Sequence, residues 1–135
     1  MMSEFTSLPP NESLLLRTVA MPADTNPNGD IFGGWILSQM DLAGGILAKD
    51  ISQGRVATIA VDAMKFIKPV KVGDVVCCYG EIKRIGTTSI TLHVETWVIP
   101  IWRSPESRQP FKVTEADFTY VAIDLAGNKR PLGHL

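Results

Sequence analysis

The stretch from Asn26 to Asp50, NPNGDIFGGWILSQMDLAGGILAKD, constrains the fold more than any other part of the chain. It opens on a turn-rich segment, Asn26-Pro27-Asn28-Gly29-Asp30, and passes through the apolar pair Ile31-Phe32 and the glycine pair Gly33-Gly34. It then runs into a proline-free, largely apolar stretch. This order predicts a loop, a helix N-terminus and a long helix. Ile36, Leu37, Met40, Gly44, Leu47 and Ala48 recur at steps of three and four, which makes one broad apolar face. Ala43, Gly44 and Gly45 interrupt that face with small residues. Each helical glycine costs about 1 kcal/mol against alanine, so another element must approach the backbone closely there. A sheet wrapped around the helix would do so.

Before the helix, Leu14 to Ala20 reads as a short strand, preceded by a loose polar arm at residues 1–12. After it come four strand-like runs and no second helix: Arg55 to Lys65, Val75 to Ile85, Ser89 to Ile99 and Phe111 to Asp124. The third alternates well, with Ile90, Leu92, Val94 and Val98 on one face and Thr91, His93, Glu95 and Trp97 on the other. In the fourth, Ala116, Phe118, Tyr120 and Ala122 share a face. Short connections between the last three runs predict antiparallel pairing. The fold class expected is α+β, a single domain over residues 1–135. Its plan is that of the hotdog fold, a curled, mainly antiparallel five-stranded sheet around one long central helix.

Several functions are disfavoured. A net charge of −1 supplies no global field for nucleic acid or an anionic membrane. No apolar run approaches the ~20 residues of a membrane span, and residues 1–13 lack the pattern of a signal peptide. The expectation is a soluble cytoplasmic protein. Cys77 and Cys78 are adjacent and would point to opposite faces of a strand, which suits neither a mutual disulfide nor a two-thiolate metal site. There is no G-x-S-x-G elbow, P-loop or G-x-G-x-x-G. His93 and His134 are the only histidines, one on a polar strand face and one in the tail. A Ser–His or Cys–His nucleophile is poorly supported, and no metal site is expected.

What remains is Asp41, Asp30, Asn28 and the glycine pair. Asp41 lies within an apolar helix, where an unpaired charge is costly to bury. It is either solvated on the polar flank, tied in a structural hydrogen bond, or a buried general base or nucleophile. Asp30 and Asn28 suit loop and N-cap roles as well as chemical ones, and the glycines suit close packing. Unpaired amides at a helix start can polarise a carbonyl oxygen. Asp41 lies eight positions beyond Gly33, about 12 Å along the axis at 1.5 Å per residue, too far for both to act on one small group. Two copies related by a twofold axis could bring Asp41 of one chain to Gly33 and Gly34 of the other.

The run Arg17 to Asn26, then Asn28-Gly29-Asp30-Ile31-Phe32-Gly33-Gly34-Trp35 and Ser38-Gln39-Met40-Asp41, resembles the hotdog acyl-CoA thioesterases of the bacterial YciA type. So do Phe66 to Val70, Val72 to Tyr79 and Val113 to Ala116. The resemblance implies hydrolysis of acyl-CoA to free CoA and a carboxylic acid with a broad acyl range. It implies dimers with sites at the interface, commonly trimers of dimers, and no cofactor beyond the CoA of substrate and product. By the same resemblance the catalytic aspartate is Asp41, the oxyanion amide is that of Gly33 or Gly34, and Asp30 occupies a polar position that orients water or holds the loop. For the CoA phosphates the candidates are Lys65, Lys68, Arg84, Arg103 and Arg108, with the turn carrying Thr88 and Ser89 near pantetheine or phosphate. Ile31, Phe32 and Trp35 line the acyl tunnel or the core. A binding-only acyl-CoA sensor and a hotdog hydratase are the alternatives. The first usually carries a DNA-binding domain, and the second favours an Asp–His pair.

Overall fold

The computed structural model describes residues 8–62, 64–100, 104 and 108–132. Its one α-helix among these, α1 (Gly33–Ser52), is preceded by β1 (Leu14–Val19) and followed by β2 (Val56–Asp62), β3 (Val75–Ile85), β4 (Ser89–Ile99) and β5 (Phe111–Ala122). The strands form one antiparallel sheet in the order β1-β3-β4-β5-β2. The helix touches all five, so the sheet curls around it as the hotdog plan requires.

Periodicity explains which residues meet. Ile90, Leu92, Val94 and Val98 of β4 are fully buried, as are Phe118 and Ala122 of β5, while His93, Glu95 and Trp97 stay partly exposed on the other face. Ile36, Met40, Ala43, Gly44 and Ala48 of α1 are buried against this surface. Burying side chains such as Ile36 and Met40 is worth about 1.5–3 kcal/mol each. The helix stops at Gln53, which takes the left-handed conformation (φ 58°) and donates its N–H to the Lys49 carbonyl.

Of the two glycines, the expected close approach occurs at Gly44. A Cβ there would collide with the Tyr120 hydroxyl and lie 3.0 Å from two of its ring carbons, whereas a Cβ at Gly45 would meet nothing. Leu37 is 36% exposed rather than part of the apolar face, and Ala43 takes the buried place. Leu37 sits one residue, about 100° of helix rotation, past Ile36, which carries it off the sheet.

β2 ends at Asp62 instead of Lys65. The chain beyond it ties to β5 by single bonds: Ile67 N–H donates to the Val113 carbonyl, and the Thr114 hydroxyl donates to the Lys65 carbonyl. β5 ends at Ala122, two residues early, because the Asp124 carboxylate accepts the Ala126 and Asn128 amides and turns the chain. Asn11–Ser13 form a 3-10 turn where a loose arm was expected, and residues 1–7 lie outside the described residues. Cys77 and Cys78 are both buried free thiols. No described helix is long and apolar enough to cross a membrane.

Candidate active site

The start of α1 is chemically open. Phe32 occupies the N-cap position and has no side chain that can cap. The Phe32 carbonyl accepts the Trp35 and Ile36 amides at 3.1 and 3.3 Å, but among the described residues nothing accepts the Gly33 or Gly34 N–H. Two donors and the positive end of the helix dipole are thus unspent. Gly33 lines an open apolar cleft of about 310 Å³ with Ile31, Ile36, Phe66, Lys68 and Val70. Phe66 lies directly over Gly33, where a Cβ would come within 3.1 Å of its ring.

Asp41 faces a second cleft, of about 340 Å³, shared with Leu42, Gly45, Ile46, Lys49, Arg55, Val56, Thr58 and Tyr120. The Thr58 hydroxyl donates to Asp41 Oδ1 at 2.7 Å, and the Tyr120 hydroxyl lies 3.1 Å from the same oxygen and 3.0 Å from the Asp41 carbonyl. Among the described residues Oδ2 has no partner. Burial, and then Asp41 beside it, push the Tyr120 phenol far above its ordinary range, so it serves as a neutral donor. Asp41 is therefore partly buried and side-chain bonded, which rules out free solvation.

The two clefts share no lining residue. One chain has amides without a carboxylate in the first and a carboxylate without free helix-start amides in the second.

Other predicted residues divide. Asp30 lines neither cleft; its carboxylate pairs with Lys71 Nζ at 2.5 Å. Asn28 is exposed, and its amide, with that of Asp30, donates to Asn26 Oδ1 at 2.9 and 3.1 Å. Asn26, overlooked in the sequence, is thus the side chain that holds this loop. Ile31 is buried and lines the first cleft, Trp35 packs against the core, and Phe32 is 48% exposed. Lys68 reaches the first cleft and sits 5.0 Å over the Phe111 ring. Lys65, Arg84 and Arg108 are exposed and line neither cleft; Thr88 and Ser89 are half-buried, their carbonyls holding Ala122 and Gly86 amides. Arg103 and His134 lie outside the described residues.

Thr58 and Tyr120 were not singled out by local pattern, because they reach Asp41 across 17 and 79 residues of chain. One signal existed: a tyrosine on an apolar strand face needs a partner for its hydroxyl.

His93 is ringed by carboxylates. Its Nδ1 meets Asp117 and its Nε2 meets Glu115, each at 2.8 Å, with Glu95 at 3.6 Å. Burial pulls the imidazole down, but the bonds to Asp117 and Glu115 outweigh it and hold His93 above its ordinary value. His93, Glu95 and Glu115 have ligand atoms within 4.8 Å of one another. Lys83 pairs with Asp117, and Lys112 with Glu115 at 3.1 Å, so two of these carboxylates already have a lysine partner.

Known proteins resemble the chain over most of its length. Residues 28–100 match the family model of the thioesterase superfamily. The chain is 57% identical over 123 residues to the acyl-CoA thioester hydrolase YciA of Salmonella typhimurium, covering 91% of this chain and 92% of that protein. It is 55% identical over the same length to the YciA of Escherichia coli, again over 91% and 92%. Among solved structures, a hexameric broad-specificity acyl-coenzyme A thioesterase superposes with a TM-score of 0.88 at 53% identity, covering 96% of this chain and 86% of the other. A hexameric thioesterase from Yersinia pestis superposes with a TM-score of 0.86 at 57% identity, over 93% and 100%. With a family model that matches more than half of the chain and relatives this similar over nine-tenths of it, the chain belongs to the thioesterase superfamily, among the hotdog acyl-CoA thioester hydrolases of the YciA type.

Proposed function

We infer that this chain hydrolyses acyl-CoA thioesters to CoA and a carboxylic acid, at sites built by two subunits. The observation that carries the reading is the division of the chemistry between two clefts of one chain. The thioester carbonyl oxygen sits at the start of α1 and accepts N–H bonds from Gly33 and Gly34. Asp41 of the second subunit then activates water, which attacks the carbonyl carbon and expels the CoA thiolate. Alternatively, Asp41 attacks directly, giving an anhydride that water opens. Both routes require the same placement. The amides strengthen their bonds as the oxygen gains charge, so they favour the transition state over bound substrate.

Self-association is supported by what the single chain leaves uncovered. Leu42 and Ile46 of α1, which line the Asp41 cleft, are 59% and 50% exposed, and Ile59 on β2, the strand at one end of the sheet, is 57% exposed. A second copy would cover them. The hexameric relatives support the higher assembly, which we read as a trimer of twofold dimers. Lys68, which lines the Gly33 cleft, is the foremost cation for a CoA phosphate, with Lys65, Arg84, Thr88 and Ser89 as further candidates. Asp30 and Asn28 shape the loop ahead of the glycine pair, and Ile31 and Phe32 form the apolar wall for the acyl chain. CoA arrives with the substrate and leaves as product, so no resident cofactor is invoked.

Thiol release from acyl-CoAs of graded chain length, with wild type and Asp41→Ala side by side, tests the reading. Turnover that disappears in a folded Asp41→Ala enzyme is the expected result. Undiminished turnover in that variant would overturn the assignment of the carboxylate, and binding of acyl-CoA without release by wild type would replace the hydrolase with a sensor.

A further inference from the structure

Tyr120 approaches the helix backbone at Gly44. It stands in β5 with its ring buried, 1% exposed, and stacked 6.3 Å from Phe118. Its hydroxyl reaches the helix backbone through the recess at Gly44, which any side chain would fill. There it lies between two acceptors of one residue, the carbonyl and Oδ1 of Asp41, at 3.0 and 3.1 Å. A phenol with one proton between those two oxygens ties the Asp41 side chain to its own backbone.

The second tie comes from the neighbouring strand. Thr58 is the cross-strand partner of Tyr120 in the β2–β5 ladder, and the register slips immediately beyond it, between Thr58 and Ala60. Directly opposed residues point to the same face, and a bulge re-aims the strand locally. Both hydroxyls therefore converge on Oδ1 and leave Oδ2 without a partner among the described residues. A carboxylate pinned through one oxygen has its rotation arrested with the other oxygen presented.

We propose that Tyr120 is a positioning residue of the thioesterase reaction: seated through the Gly44 recess, its hydroxyl, together with that of Thr58, holds Oδ1 of Asp41 so that Oδ2 is the oxygen that acts. The proposal rests on Asp41 being the reactive carboxylate. It also assigns a reason for a glycine in the middle of a buried helix face, where alanine would be the better helix former.

The test is Tyr120→Phe, which keeps the ring and removes the hydroxyl, assayed beside Asp41→Ala and Gly44→Ala for kcat, KM and thermal melting. The Tyr120→Phe enzyme is expected to lose about 10- to 100-fold in kcat, the range for a lost bond to a charged group, while KM stays within about threefold because substrate contacts are untouched. A residue that only packs would leave that split unchanged, and a kcat within twofold of wild type would overturn the proposal. Gly44→Ala keeps the hydroxyl but displaces it, and the same loss of kcat at unchanged KM is expected. This variant decides the matter if Tyr120→Phe fails to assemble, and a wild-type kcat in it would be contradictory. Full activity in Asp41→Ala would instead remove the carboxylate reading itself, an outcome separate from a silent Tyr120→Phe.

Discussion

Replacing Gly33 with proline removes one amide from the helix start and little else. Gly33 is the first residue of α1, and proline is tolerated at that position because its missing N–H has no intrahelical partner. The residue before it, Phe32, already has φ −55° and ψ 135°, the extended region that a following proline demands. The nearest neighbour of an added Cβ is the Phe66 ring, 3.1 Å away at Cε2 and 3.2 Å at Cζ. That ring belongs to a residue 48% exposed and can move aside. The change in stability is expected to stay within about 1 kcal/mol, proline's gain through the unfolded chain offsetting the contact. The change in rate is much larger. Loss of one donor to a developing oxyanion costs about 10²–10³ in kcat, ~2.7–4 kcal/mol, with KM little altered. Thiol release under saturating acyl-CoA reads kcat directly, and circular dichroism confirms the helix. Gly34→Pro, which also constrains Gly33, is the companion variant. Wild-type kcat in both variants, each folded, would refute the assignment of the oxyanion site to these amides.

Two further predictions concern groups outside the site. His93 is held above its unfolded value of about 6.5, so the stability it adds is full below that pH and is lost as pH rises through its folded value. Glu115, held low first by Lys112, and Asp117, held low first by Lys83, add stability above about pH 4 that is lost as pH falls through their folded values. Urea denaturation of wild type and His93→Gln from pH 5 to 9 is expected to show a stability gap that is widest at the acid end and narrows upward; a gap that widens with pH would contradict the network. Burial pushes the thiols of Cys77 and Cys78 up, Cys78 to about 11. Native protein is therefore expected to show no fast-reacting thiol towards a disulfide reagent, and urea-unfolded protein to show 2; rapid modification of the folded enzyme would place a cysteine at the surface.

Much of the fold was legible because its signals are local. The limits of β3 and β4 follow from turn residues and alternation, and they coincide with the structure. The long helix follows from three- and four-residue spacing, with Leu37 misassigned because an apolar residue beside the stripe looks like part of it. The ends of β2 and β5 were overestimated, since apolar composition continues past the point where ladder pairing gives way to single ties. In the site, Asp41, Gly33 and Gly34 stand out as residues at odds with their setting, a charge in an apolar helix and glycines at a helix start. Thr58 and Tyr120 do not, because their importance comes from the β2–β5 register, a relation between distant segments. The Gly44 recess was half legible: the need for close approach could be read, but not the hydroxyl that fills it. Alternation places His93 on a polar strand face, and its carboxylate ring appears only once β4 and β5 are paired.

The central claim, that each site takes its amides from one subunit and its carboxylate from another, is tested most directly by complementation. Differently tagged Asp41→Ala and Gly33→Pro chains, each expected to keep at most about 1% of wild-type kcat alone, are co-expressed and assembled at random. Half of the twofold dimers then contain one chain of each kind, and each such dimer has one intact site and one doubly defective site. Shared sites predict recovery of about a quarter of wild-type kcat per subunit. No recovery in mixed assemblies that contain both tags would mean that amides and carboxylate act within one chain, and the account of the site would be wrong.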